Sequence, residues 1–182
     1  KATYFEAAIE SVFRQNYEAI EIVIGDDCRD DSIANLVKAL SHKSPWPIRY
    51  FRNQSALGEI GNVTRCVEES RGEYVKFLYD DDIIVPDCVR LLVDALEGTS
   101  GVSLVSSRRR LIDEFGKFLP DNAATSFPFD KDVVLLGGDV VSFWGDNSFN
   151  FVGEPTSVLC RREDLVAFGD GIFSLAKHEI QW

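Results

Sequence analysis

Two groups of carboxylates stand out in the 182-residue chain: Asp26-Asp27 with Asp30-Asp31 close behind, and Asp80-Asp81-Asp82. Each begins where an apolar run stops, Glu21 to Ile24 in the first case and Tyr74 to Tyr79 in the second. Three adjacent carboxylates repel one another. They have no cationic neighbour in sequence, and Ile83, Ile84 and Val85 follow at once, so the triplet either has a raised pKa or demands a counter-ion. A divalent cation supplies one. Oxygen-only ligands, with almost no His or thiol alternatives, select magnesium or manganese (Mg or Mn) over zinc. Such an ion keeps several waters and completes its shell from the phosphate oxygens of a ligand. Neither GxxxxGK[ST] nor GxGxxG occurs, so that ligand is held without either glycine cradle. A nucleotide diphosphate serving as a leaving group meets this description. Asp30, Asp31 and Ser32 have a plainer reading, as caps of the helix that follows them.

The elements that would position these acids can be read from periodicity. Thr3 and Glu6 form a T-x-x-E capping box before a helix with Ala8, Ile9, Val12 and Phe13 on one face. A strand at Glu21 to Ile24 leads to a helix carrying Ile33, Leu36, Val37 and Leu40, which Pro45 and Pro47 end. A strand at Ile48 to Phe51, a loop at Asn53 to Gly58 and a helix through Ile60, Val63 and Val67 follow, with Gly72 as the stop. Tyr74 to Tyr79 is then a strand, and the stem of Lys76 packs there while its ammonium reaches solvent or an anion. Pro86 opens a helix that ends at Gly98, and Val102 to Ser106 is the next strand. Alternation of this kind means an α/β fold, a mainly parallel sheet with helices on both faces. In an open parallel sheet the C-terminal strand ends share one edge, so the two acidic groups are expected to meet there.

Beyond Ser107 the pattern is less regular. A hairpin is expected over Leu111 to Leu119 with its turn at Glu114 to Gly116, then an irregular loop over Pro120 to Asp130. Asp132 to Phe143 reads as a helix interrupted by Gly137-Gly138, Thr156 to Cys160 as a strand, and Arg162 to Phe168 as helical. The net charge of -11 disfavours a nucleic-acid partner but not a small phosphorylated ligand. Cys28, Cys66, Cys88 and Cys160 form no CxxC pair, and reduced thiols in a cytoplasmic protein are expected. No run of 18 apolar residues occurs, so no membrane span is expected in this segment.

The ordered pieces AIESVFRQNYEAIEIVIGDDCRDDS, RNQSALGEIGN, RGEYVKFLYDDDIIVP and NFVGEPTSVLCRRE resemble the family-two glycosyltransferases. The resemblance implies a GT-A-like nucleotide-diphospho-sugar transferase fold, with the family's first strand missing before Lys1. It implies one glycosyltransferase domain over 1–182, incomplete at its C-terminus, with 1–107 as the nucleotide-sugar-binding half and 108–182 as the acceptor-side half. The implied activity is metal-dependent transfer of a sugar, with inversion, from a nucleotide-diphosphate donor to an acceptor hydroxyl. A UDP-sugar is the favoured donor, the acceptor is a saccharide or lipid-linked saccharide, and the setting is polysaccharide or cell-envelope biosynthesis. The place of work is the cytoplasm, with the inner face of the membrane left open.

The site residues carry over one by one. Asp26 and Asp27 look like the acids that read the base and neighbouring groups of the nucleotide, and Asn53, Gly58 and Asn62 sit in the loop and helix beside them. Asp80 and Asp82 look like the D-x-D pair, Asp80 toward ribose or pyrophosphate and Asp82 toward the metal, with Asp81 between them on the nucleotide side. The general base falls in the Lys177-His178-Glu179 stretch, on Glu179 or on His178. Phe151 to Arg162 resembles the acceptor-side floor, where Glu154 either contacts a sugar or is a turn residue. Phe143 and Trp144 either stack on a sugar ring or belong to the core. Tyr79 stands where the family often has an acid, so the D-x-D register is open by one residue, and Gly61 stands where a small or basic residue often precedes Asn62. Competing readings are a non-catalytic nucleotide-sugar or carbohydrate-binding domain and a nucleotidyltransferase. A phosphate-receiver domain fits less well, because Val102 to Ser107 offers no Lys.

Overall fold

Ile22 and Ile24 alternate with Val23 and Gly25, and this period of two gives the first strand two different faces. In the computed structural model, which describes residues 2–123, 125–147 and 150–168, that strand is β1 (Ile22–Asp26). It pairs in parallel with β2 (Ile48–Arg52), Ile22 opposite Ile48 and Asp26 opposite Arg52. Ile22 and Ile24 pack against Phe5 and Ile9 of α1 (Ala2–Phe13) and against Ile33, Val37 and Leu40 of α2 (Ser32–Ser41). The other face lies under α3 (Gly58–Glu69). A Cβ on Gly25 would stand 2.4 Å from Asn62 Oδ1 and 2.7 Å from Cys66 Sγ, so only glycine allows this approach. Helices thus cover both faces of the β1–β2 pair, as the alternation requires.

A second apolar cluster joins Cys88, Leu92, Val93 and Leu96 of α4 (Cys88–Gly98) to Leu159. Here β3 (Tyr74–Lys76) pairs antiparallel with β5 (Val158–Arg161), in a three-stranded sheet of order β3-β5-β4, where β4 is Leu104–Ser106. Among the described residues the strands therefore form two ladders, one parallel and one containing an antiparallel pair. The four cysteines are free, and burial pushes the Cys160 thiol up to about 11.

The chain divides into two compact units, one holding residues to Val105 together with those from Leu159, the other Ser106–Val158. In the second unit the expected hairpin forms: Ile112 bridges Phe118, and Gly116 turns the chain at φ +78. Phe127, Phe129, Phe151 and Phe143 form a chain of edge-to-face contacts at 5.6, 5.6 and 5.2 Å between centroids. Phe143 joins this chain through Phe151 but is itself 36% exposed, and Trp144 is 54% exposed. The last two helices among the described residues are α5 (Gly137–Asn147) and α6 (Arg162–Phe168).

Several boundaries depart from the sequence reading, each for a local reason. α1 already runs at Ala2, so Thr3 is a helical residue and not its cap. Asp31 flanks α2 without a side-chain cap bond: Asp30 Oδ1 accepts from the Ser32 N–H instead, and Asp31 pairs with Arg52 at 2.6 Å. α3 stops at Glu69 because Ser70 turns extended, and the N–H groups of Arg71 and Gly72 go to the Glu21 carboxylate. The strand expected over Tyr74 to Tyr79 keeps ladder pairing only to Lys76. Pro86 lies in a Val85–Cys88 turn closed at 3.0 Å, and α4 starts beyond it. Gly137-Gly138 begin α5 instead of interrupting a longer helix. Thr156 lies in a 3-10 turn, Pro155–Ser157, before β5 starts.

The close approach at Gly25 makes a paired prediction. Gly25→Ala overpacks the β1–α3 contact and should cost about 1–3 kcal/mol in urea unfolding. Gly98→Ala, at a position where a Cβ meets nothing within 4 Å, should be neutral or slightly stabilising. Equal midpoints for the two variants would contradict the packing described.

Candidate functional site

Because β1 and β2 run parallel, their C-terminal ends emerge at one edge, and the Asn53 N–H closes it by donating to the Asp26 carbonyl at 2.9 Å. Asp26 is only 3% exposed. Its Oδ1 accepts from the Cys28 N–H at 2.8 Å and its Oδ2 from the Tyr50 hydroxyl at 2.7 Å. Burial, and next the bond to Asp26, push Tyr50 up to about 12, so it stays a neutral donor. Asp27 reaches the other way. Its Oδ2 accepts from the backbone N–H groups of Leu57 and Gly58 at 3.0 and 2.8 Å, and its Oδ1 from Asn53 Nδ2 at 2.5 Å. Leu57, the residue flanking α3, has no polar side chain to cap it, so a carboxylate 30 residues earlier does that work. Gly58, at φ +72, makes the turn into the helix.

Asn53, 7% exposed, also donates to Asn62 Oδ1 at 2.9 Å, and Asn62 Nδ2 donates to the Gly25 carbonyl at 2.9 Å. The Arg65 guanidinium donates to Asn53 Oδ1 and lies 4.3 Å from the centroid of Phe51. Asp26, Asp27, Asn53, Gly58 and Asn62 therefore stand in one polar network at the edge of the β1–β2 pair. Tyr50 and Arg65, which complete it, were not picked out from sequence. Their only signal there was a polar terminus on an otherwise packed strand and helix.

The second acidic group lies in a turn in which the Asp82 N–H donates to the Tyr79 carbonyl at 3.3 Å. Asp80 and Asp81 are exposed and Asp82 is half-buried. The Cys28 thiol is pushed up first by its burial, then by its hydrogen bond to Asp26, with the charges of Asp26, Asp30 and Asp80 adding to the shift. The Tyr79 hydroxyl donates to Glu59 Oε1 at 2.7 Å and so ties the acidic turn to the first turn of α3. The cation that sequence did not pair with the triplet is Lys76, whose ammonium interacts with Asp82 and donates to the Phe77 carbonyl at 3.0 Å.

The segment after the triplet is held by α1 and the residues just beyond its end. Ser11, fully buried, accepts from the Ile84 N–H at 3.2 Å. Gln15 donates to the Val85 carbonyl at 2.8 Å and accepts from the Val89 N–H at 3.0 Å. Ser11 lies in the last turn of α1 and Gln15 two residues beyond its end.

Among the described residues no group of three or more His, Cys, Asp and Glu side chains is arranged to hold a metal. A magnesium or manganese ion that draws on substrate phosphates needs only one or two carboxylates, and Asp80 and Asp82 would be the ones to hold it. Glu179 and His178 lie outside the described residues. In the second unit Asn150 brackets Gly153, donating to its carbonyl and accepting from its N–H, both at 3.0 Å. Glu154, with its side chain 60% exposed, follows at 3.7 Å from Arg109 Nε. No described helix is long and apolar enough to cross a membrane.

Residues 1–152 match the sequence profile of "Glycosyl transferase family 2". A Campylobacter jejuni protein, "GalNAc(5)-diNAcBac-PP-undecaprenol beta-1,3-glucosyltransferase", is 33% identical over 127 residues, 66% of this chain and 41% of that protein. An uncharacterized Mycobacterium tuberculosis protein is 26% identical over 93% of this chain and 54% of its own length. The chain thus spans about half the length of these relatives. Among solved structures, Staphylococcus aureus TarS superposes with a TM-score of 0.62 at 18% identity, over 91% of this chain and 27% of TarS, which establishes a shared fold.

Lys76 supplies a pH prediction. Burial holds its ammonium down to about 8 against an ordinary 10.5, with Cys88 and Asp82 offsetting part of the shift. Between those values the folded chain gives up a proton that the unfolded chain keeps, so stability rises with pH. The cost of burying the charge is full below the folded pKa and gone above the unfolded one. Lys76→Met should raise the urea midpoint at pH 7, and its advantage should shrink toward pH 10.5. A gap that stays constant with pH would contradict this.

Proposed function

Since this chain belongs to glycosyl transferase family 2, we propose that it binds a nucleotide-diphospho-sugar at the edge formed by β1, α3 and the acidic turn, and transfers the sugar with inversion. The observation that carries the proposal is geometric: Asp27 accepts from the Leu57 and Gly58 N–H groups, and the hydroxyl of Tyr79, next to Asp80, donates to Glu59 in that same first turn of α3, so two acidic segments more than 50 residues apart meet at one helix start. Such an edge, acidic and bordered by the N-terminus of α3, suits a diphosphate accompanied by a divalent ion.

Each group then has a defined task. Asp26 and Asp27 fix the nucleotide end, with Asn53, Gly58 and Asn62 shaping the loop and helix against which it lies. Asp80 and Asp82 would hold magnesium or manganese, with Asp81 beside them. When bound, the ion offsets the charge that grows on the departing diphosphate. Glu179 or His178 takes the proton of the acceptor hydroxyl as its oxygen bonds to the anomeric carbon and the bond from that carbon to the diphosphate breaks. UDP is the favoured nucleotide. The Campylobacter jejuni relative, named for a polyprenyl-diphosphate-linked acceptor, supports a saccharide or lipid-linked saccharide as acceptor and a role in cell-envelope polysaccharide synthesis. Such a role belongs in the cytoplasm, at the inner face of the membrane. Residues 1–107 would serve the donor and 108–182 the acceptor within one glycosyltransferase domain.

Calorimetry with UDP and manganese tests this. The wild-type chain should bind UDP in a manganese-dependent manner, and Asp82→Ala should weaken that binding at least about tenfold, or about 1.4 kcal/mol. Unchanged binding in the variant would remove Asp82 from the site. Equal affinity with and without metal would remove the ion.

A further inference from the structure

Asn53 has an amide whose two ends are alike in shape and opposite in chemistry. One end faces two acceptors, Asp27 Oδ1 at 2.5 Å and Asn62 Oδ1 at 2.9 Å, while the other faces the Arg65 guanidinium. A carboxylate only accepts and a guanidinium only donates, so a single orientation satisfies both. Turned over, the amide oxygen would meet the Asp27 carboxylate and the NH2 would meet a cation. Once Asn53 donates to Asn62, the Asn62 oxygen is used, and its NH2 is directed to the Gly25 carbonyl at 2.9 Å. The direction of the whole chain of bonds, from α3 through Asn53 to β1, is set by Arg65 and Asp27 together.

Arg65 is itself well placed for this. It stands three residues after Asn62 on α3, so the two side chains share a helix face. Its guanidinium is stacked 4.3 Å from the centroid of Phe51, the β2 residue paired with Gly25. A flat cation lying on an aromatic ring has little freedom to point its N–H groups elsewhere.

We infer that Arg65 is a positioning residue for the nucleotide end of the site: it acts through Asn53 to hold the Asp27 carboxylate in the direction from which it meets the ligand. This rests on the proposed nucleotide binding. An ionised carboxylate has about four acceptor positions. Three on Asp27 are taken by Asn53, Leu57 and Gly58, so the direction of the remaining one is set by those bonds. Removing the Arg65 donor leaves the Asn53 oxygen without its partner, so the amide is held from its NH2 end alone and its grip on Asp27 loosens.

The test uses Arg65→Met and Arg65→Lys in the full chain, with two readouts. In the free protein, nitrogen-15 NMR should show the Asn53 side-chain amide protons exchanging slowly in wild type. Exchange should be at least about tenfold faster in Arg65→Met and intermediate in Arg65→Lys, which keeps one cationic donor. With UDP and manganese, Arg65→Met should raise Kd and the donor KM about tenfold while kcat stays within about twofold, the pattern of lost uniform binding. Arg65→Lys should recover part of the affinity. A purely structural role would instead lower the fraction of folded enzyme, and with it kcat, at unchanged KM, and that result would overturn the inference. So would Asn53 exchange that is the same in all three proteins. If wild type shows the amide effect yet binds no UDP, the nucleotide reading fails, and Arg65 is left as an organiser of α3 alone.

Discussion

The carboxylate of Asp27 is the interaction on which the candidate site depends. It leaves the end of β1 and satisfies two backbone N–H groups at the start of α3, a helix whose flanking residue, Leu57, cannot cap it. A helix N-terminus carries roughly half a positive charge, and hydrogen bonds to an ionised group contribute about 1.5–3 kcal/mol each. The same side chain takes the Asn53 amide, so a single carboxylate connects the ends of β1 and β2 to the start of α3. Gly25 lets the helix come close enough for this to happen. Without that contact α3 would lose its cap, and Tyr79, which bonds to Glu59 in its first turn, would lose its anchor.

The acidic turn is held differently. Asp80 and Asp81 stand in solvent, and the restraint comes from either side of the triplet. Ser11 of α1 and Gln15, just beyond it, satisfy the backbone of Ile84, Val85 and Val89 downstream, and Lys76 provides a partly buried positive charge upstream. A rigid frame with exposed carboxylates suits binding of a cation together with its ligand, because the frame fixes position while the acids keep their water until the ligand arrives.

Much of this could be read in the sequence. Periods of 2 and 3.6 gave the alternation of elements through residue 106, and the ends of apolar runs located both acidic groups. The network at Asp26, Asp27, Asn53, Gly58 and Asn62 came from resemblance, and the structure gathers all five at one edge. What was hidden depends on contacts between distant residues. Asp27 caps a helix 30 residues away, a bond that no window around Leu57 contains. Tyr50 bonds to Asp26 and Arg65 to Asn53 only because strand register and helix face bring them together. The misplaced boundaries at Thr3, Gly72, Pro86 and Gly137 share a cause. Each residue type suits several positions near an element's end, and tertiary contacts such as that of Glu21 with Gly72 choose among them.

The central claim is that one edge of the β1–β2 pair and the acidic turn form a single site for a diphosphate and its metal. The most direct measurement is a crystal structure of the full chain with UDP and manganese, using anomalous scattering to locate the ion. The account predicts that Asp80 and Asp82 would hold the manganese, with the nucleoside lying against Asp27 and the start of α3. Manganese bound at any other group of acids, or UDP seated away from the end of β1, would contradict it.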